Sequence, residues 1–225
     1  MGGELLLEIG TEEIPSGYLE GGLKELKGLS KAAFRENRIN MSGSIYSCGT
    51  PRRLVLLGEG ISDRQEDLVQ ETTGPPRSVA FDEQGKPTKA ALGFARKQGI
   101  SIEELETIET AKGEYLYVKT KVPGRPTREI LAEVLPKVIA DIPWPKSMRW
   151  GSFGVPFVRP IHWVVALFNG EVIPFEIAGV KSGNSTRGHR FMAPEAVEVL
   201  DVKGYLEKMK KSFVLIDQKI GRAHV

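Results

Sequence analysis

The chain has 225 residues, a formal charge of +2, and hydrophobic and charged fractions of 40% and 27%, which argues against disorder and for a folded globular protein. A near-neutral balance excludes a general electrostatic pull toward nucleic acid, so any basic surface must come from local patterning. The single cysteine, Cys48, excludes an internal disulfide framework, and no run approaches the roughly 20 apolar residues of a bilayer-spanning helix; a soluble, cytoplasmic protein is expected.

Taken in chain order, residues 5–9 form an apolar run closed by Gly10, the pattern of a buried strand. Thr11-Glu12-Glu13-Ile14-Pro15 reads as a helix opening with acids answering the macrodipole, and Leu19, Leu23, Leu26 and Phe34 continue an apolar stripe toward Asn37. Residues 45–48 and 54–58 are strand candidates, and Pro51 between them marks a turn that puts Arg52 and Arg53 at a loop tip. Residues 63–76 read as an extended polar connector. Thr88 is expected to cap a helix reaching Lys97 and closed by Gly99, followed by a capping-box pattern at Ser101 and Glu104. Lys112-Gly113 separates two hairpin strands, 107–110 and 115–121. Thr127 is read as the cap of a helix whose apolar face is Ile130, Leu131, Val134, Leu135 and Val138.

Residues 163–168 are a β-branched and aromatic strand; Asn169-Gly170 signals a tight hairpin, with 172–177 returning antiparallel. Residues 201–209 make a final amphipathic helix. The class is α+β: antiparallel hairpins with flanking helices. The expected division is 1–62, 63–143 and 144–217, packed as one region. Residues 218–225 read as a non-native tail, since back-translation of Ile220 to Val225 fits a common sequencing-adapter sequence.

The segment 144–163 stands apart: it holds all three tryptophans, three prolines, the cations Lys146, Arg149 and Arg159, and no acid. A second basic segment, 179–190, contains Lys181, Arg187, His189 and Arg190. Between residues 144 and 190 six cations face only Glu171 and Glu176, a local +4 in a chain of +2. Two readings stand side by side. Arginine forks and glycine-exposed amides suit phosphate oxygens, with aromatic rings as stacking faces. Alternatively the cations are solvated edges. Trp150 and Trp163 read first as packing. His162 reads as a hydrogen-bonded structural histidine, whereas His189 is better placed for a polar contact. Cys48 reads as a buried, inert thiol, and no spacing marks a metal site, a Walker loop or a catalytic residue.

The motifs in order resemble the β subunit of bacterial tetrameric glycyl-tRNA synthetase. They are Leu5-Leu-Leu-Glu-Ile-Gly-Thr-Glu-Glu-Ile-Pro15, Thr50-Pro-Arg-Arg-Leu54, Gly85-Lys-Pro-Thr-Lys-Ala-Ala91, Pro145-Lys-Ser-Met-Arg-Trp-Gly151, Phe157-Val-Arg-Pro-Ile-His-Trp163 and Thr186-Arg-Gly-His-Arg-Phe191. The resemblance implies roughly the N-terminal third of a longer, non-catalytic subunit. Glycine activation with ATP and magnesium would lie on the α subunit, so this chain itself would bind no cofactor. The α subunit and tRNA(Gly) are the implied partners, in a heterotetramer with no membrane association. The fold would be similar in kind to the B3/B4 region of phenylalanyl-tRNA synthetase β chains. Lys146, Arg149, Arg159, Arg187, His189 and Arg190 are the expected RNA-facing residues. Two alternatives accompany this reading: a pure assembly module, and a hydrolytic editing domain.

Overall fold

In chain order the computed structural model, which describes residues 2–82, 84–111 and 113–216, begins with β1 (Gly3–Thr11), α1 (Ser16–Glu36), β2 (Ile45–Thr50) and β3 (Arg53–Ile61). There follow β4 (Leu68–Pro76), α2 (Arg77–Ala80), α3 (Lys89–Gln98), β5 (Glu106–Thr110) and β6 (Gly113–Val122). The remainder is α4 (Thr127–Ala140), β7 (Ile161–Phe168), β8 (Glu171–Val172), β9 (Glu176–Ile177), β10 (Val180–Gly183), β11 (Ser185–Arg187), β12 (Ala196–Glu198) and α5 (Val202–Lys211). The described residues form two units, one up to Gln65 and from Arg125 on, the other Glu66–Gly124. Mixed helices and mainly antiparallel sheets make the class α+β, as the alternation of hairpins and helices predicts.

The first unit is built on one sheet of order β2-β3-β1-β7-β10-β9, with β8 beside β7. β1 lies between β3 and β7, antiparallel to both, so its two faces are buried and its sequence is apolar almost throughout. Leu5, Leu7 and Ile9 face a core shared with Leu23, Leu26 and Phe34 of α1 and Ile130, Leu131, Leu135 and Val138 of α4. Leu6 faces the opposite core, with Val165, Leu167 and Cys48, covered by Val202, Tyr205 and Met209 of α5. Both helical stripes are therefore where the periodicity puts them. Asn169 and Gly170 take positive φ of 51° and 79°, the geometry of a tight hairpin turn.

Several expectations are corrected. α1 starts at Ser16 behind Pro15, with no acid in its first turn; Glu12 and Glu13 lie outside it. Arg53 is not at a loop tip but opens β3, only 4% exposed. Thr127 is the first helical residue of α4 rather than a side-chain cap; its hydroxyl donates to the Ser62 carbonyl at 2.6 Å. The return after the 169–170 turn is two residues long, and Ile177 belongs to β9, paired with β10. The segment 179–190 is not a loop throughout, since it contains β10 and β11. β10 runs parallel to β7, which makes the sheet mixed.

The second unit is a three-stranded sheet of order β4-β6-β5 with a small core of Ala80, Ala91 and Leu116. The supposed connector 63–76 supplies β4, antiparallel to β6. Alternating polar residues on a two-sided, lightly covered strand resemble a linker in composition, and only pairing distinguishes them. Lys112, read from the sequence as separating two hairpin strands, and the tail 218–225 lie outside the described residues. α3 is capped as predicted: the Thr88 hydroxyl accepts the Ala90 N–H at 3.2 Å, and Gly99 closes the helix at φ 71°. Thr88→Ala is expected to destabilise this unit by about 1 kcal/mol. Amide exchange at Ala90 should speed up accordingly, and unchanged exchange would rule the cap out.

Candidate functional site

The site is organised by β1. Gly10 pairs with Arg53 on one side and Trp163 on the other, and Glu8 lies two residues away on the same face. There is no side chain at position 10, and the Trp163 indole fills the gap: a Cβ there would sit 1.9 Å from the ring. Glu8 is wholly buried; its Oε1 accepts from Thr186 Oγ1 at 2.9 Å and Trp163 Nε1 at 3.1 Å and forms an ion pair with Arg53 Nη1 at 3.2 Å, which itself donates to Met209 Sδ at 2.9 Å. Arg53 Nη2 donates to the Arg187 carbonyl at 3.0 Å, fastening β3 to β11. The guanidinium carbons of Arg53 and Arg187 lie 5.7 and 5.8 Å from the Trp163 ring centroid.

Burial pushes the Glu8 carboxyl above the usual glutamate range, while the Arg53 charge and the hydrogen bonds pull it back. Burial, seconded by the Glu8 charge, holds the Tyr205 hydroxyl well above the ordinary phenol range. Neither the Tyr205 hydroxyl nor Glu8 Oε2 has a hydrogen-bond partner of ordinary geometry among the described residues. This cluster is a fastening: Glu8 is closed off from solvent, and the bonds joining β1, β3 and β11 set where Arg187 emerges.

Around it lies the basic rim. Arg159 Nε donates to the Glu13 carbonyl at 3.0 Å. Arg159 and Arg190, 31 positions apart in sequence, line one open cleft of about 460 Å³ with Glu12, Glu13 and Met148. Arg190 also lines a second cleft, of about 390 Å³, with Arg52, Arg53, His189 and Phe191. His189 Nδ1 accepts the N–H groups of Phe191 and Met192 at 3.3 and 3.2 Å, so this ring nitrogen is spent on shaping its own loop. Lys146 and Arg149 are exposed on the 144–160 segment, whose limbs are joined by paired backbone bonds between Met148 and Phe157 at 2.8 and 3.1 Å. Trp163 is buried and Trp150 half-buried, so both pack, as expected. Trp144 meets Phe157 edge to face at 5.3 Å and rests on Gly22 of α1, where a Cβ would come within 2.3 Å of its ring. His162 Nε2 lies 3.0 Å from Glu12 Oε1, a polar contact between two exposed side chains.

Sequence reasoning missed Glu8 and Arg53. The signal was present: a carboxylate inside Leu5-Leu-Leu-Glu-Ile9 cannot stay in an apolar strand without a cation or donors beside it. Pro51 drew attention instead to a turn.

Fold and site together define a mixed-sheet α+β chain whose basic rim is set by a buried ion pair. A family model described as glycyl-tRNA synthetase beta subunit matches residues 5–225, and the chain belongs to that family. It is 49% identical over 217 residues to a glycine–tRNA ligase beta subunit of Syntrophotalea carbinolica, covering 96% of this chain and 31% of that protein. Similar relatives, at 47% and 48% identity, are the glycine–tRNA ligase beta subunits of Syntrophus aciditrophicus and Citrifermentans bemidjiense. The chain spans about a third of the length of these relatives. No helix among the described residues is long and apolar enough to cross a membrane.

Proposed function

We propose that this chain is the RNA-supporting part of the β subunit of an ATP-dependent glycine–tRNA ligase. It works in the cytoplasm within a heterotetramer, beside an α subunit on which glycine, ATP and magnesium meet. Its own residues contribute affinity and placement for tRNA(Gly), not the bond-making step. The observation that carries this is the state of the rim cations. Lys146, Arg149, Arg187 and Arg190 have no carboxylate partner among the described residues. Elsewhere Arg77, Lys119, Lys121 and Arg128 each have one and Arg125 has two, while exposed cations such as Lys24, Lys97 and Lys210 likewise have none among the described residues. Arg190, without a carboxylate partner, shares one cleft with Arg159 from a distant segment and lies over the exposed Phe191 ring, an arrangement that suits phosphate oxygens.

Arg187→Ala combined with Arg190→Ala, in the β chain complexed with its α subunit, is expected to weaken tRNA(Gly) binding. The plot of log affinity against log salt should become shallower by roughly 1.5, the loss of two phosphate contacts. Affinity and slope both unchanged would remove the rim from the RNA surface. Loss of α-subunit co-purification with RNA affinity intact would favour the assembly reading, which the exposure of Phe191 and Met192 also suits.

A further inference from the structure

We propose that the cleft between the 50–53 turn and the 188–191 segment seats one unpaired nucleotide of RNA, with Arg52 and Arg190 on its phosphate and Phe191 against its base. The inference rests on the RNA reading above and narrows it to a pocket and to single-stranded RNA.

Three observations converge. The first is size: about 390 Å³ lies toward the small end of ligand sites, room for a nucleotide but not for a duplex. The second is unspent donor capacity. Arg53 is 4% exposed, yet its Nε has no hydrogen-bond partner, and neither has the buried Nε of Arg52. Arg52 has only Glu12, at 4.0 Å, as a carboxylate neighbour. Those two nitrogens are themselves closed off, but the Arg52 side chain is 27% exposed and its terminal guanidinium nitrogens have no closer carboxylate among the described residues, so they are the donors an anionic ligand in the cleft would take. The third is an aromatic platform. Phe191 is 81% exposed although folding normally removes such a ring from water. Its neighbours are already arranged on it, with the Arg190 guanidinium 5.5 Å and the His189 ring 6.3 Å from its centroid. His189 shapes this platform by accepting the backbone N–H groups of Phe191 and Met192.

Phe213 also lines the cleft. It follows the end of α5 at φ 59°, a conformation in which glycine is the usual residue, and its side chain stays 55% exposed. An aromatic residue held in the left-handed region without burial is not explained by packing among the described residues. A ring with an arginine on its face and further arginines at the pocket's base matches how single-stranded nucleic acid is held: bases stack, phosphates are forked.

The test uses the full β chain in complex with its α subunit, carrying Phe191→Ala or Phe191→Trp. The probes are a fluorescent short oligoadenylate and a blunt-ended RNA duplex, each titrated over a range of salt. Phe191→Ala should weaken oligoadenylate binding about 5- to 100-fold, leave its salt slope unchanged, and spare the duplex; Phe191→Trp should restore affinity. Phe191 is exposed enough that neither variant should shift the unfolding transition. If Phe191→Ala binds the oligoadenylate like the parent while the Arg187→Ala, Arg190→Ala protein loses tRNA affinity, the pocket is refuted and the basic rim stands. If neither changes RNA binding, both fail. Loss of α-subunit co-purification in Phe191→Ala with RNA affinity intact would make the cleft a protein contact and overturn the proposal.

Discussion

Arg53→Met is expected to lower the unfolding free energy at neutral pH by about 3–5 kcal/mol, because it leaves the Glu8 carboxylate buried with no cation beside it. The two residues sit on neighbouring strands, 3.2 Å apart, at 0% and 4% exposure. Methionine matches the arginine stem in bulk, so the loss is of charge and donors rather than volume. The double variant Glu8→Gln, Arg53→Met removes both charges and should recover much of the deficit. A pH series sharpens the expectation. Burial already holds the Glu8 carboxyl above the ordinary value of 4.5, and the Arg53 charge is the largest influence opposing it. Without Arg53 the folded-state value rises further. A carboxyl raised on folding contributes stability that is fully present below its unfolded value and is lost as pH rises through the folded one. The gap between Arg53→Met and the parent should therefore narrow on acidification toward 4.5 and widen above it. Urea unfolding at several pH values measures this, and a gap independent of pH would refute the coupling to Glu8.

Gly10→Ala should cost about 3 kcal/mol or more, at the upper end of overpacking effects, although alanine is the smallest possible change. Its Cβ would fall 1.9 Å from the fused bond of the Trp163 indole, far inside van der Waals contact. Neither side can yield cheaply. Gly10 is paired on both edges, to Arg53 and to Trp163. Turning the indole away would surrender its bond to Glu8 and its place beneath the guanidiniums of Arg53 and Arg187. Thermal unfolding followed by tryptophan fluorescence reads both the loss and the displaced ring. Trp163→Leu should suppress the effect of Gly10→Ala, because the clash partner is gone. Equal stability of Gly10→Ala and the parent would show that the ring does not lie over this strand.

Much of the fold was legible because period and punctuation carry it. Leu23, Leu26 and Phe34, the stripe from Ile130 to Val138, Thr88 with Gly99, and Asn169-Gly170 all act through local geometry, and each is where the pattern puts it. Errors fell where a local signal had to be weighed against distant pairing. Residues 63–76 look like a linker until β6 pairs with them, and Glu12 looks like a helix opener until His162 claims it. The basic segments 144–163 and 179–190 were also legible as a charge imbalance. That Arg159 and Arg190 share a cleft was not, since it depends on β10 returning parallel to β7.

By itself the sequence determined the α+β class, the apolar faces of α1, α4 and α5, and the family, because these rest on residue type and spacing along the chain. Only the tertiary structure decided that Glu8, Gly10, Arg53 and Trp163 form one buried fastening and that the rim emerges from it. The physical reason is that a carboxylate in an apolar strand demands a cation, but strand register chooses which one. Pairing of Gly10 with both Arg53 and Trp163 made that choice.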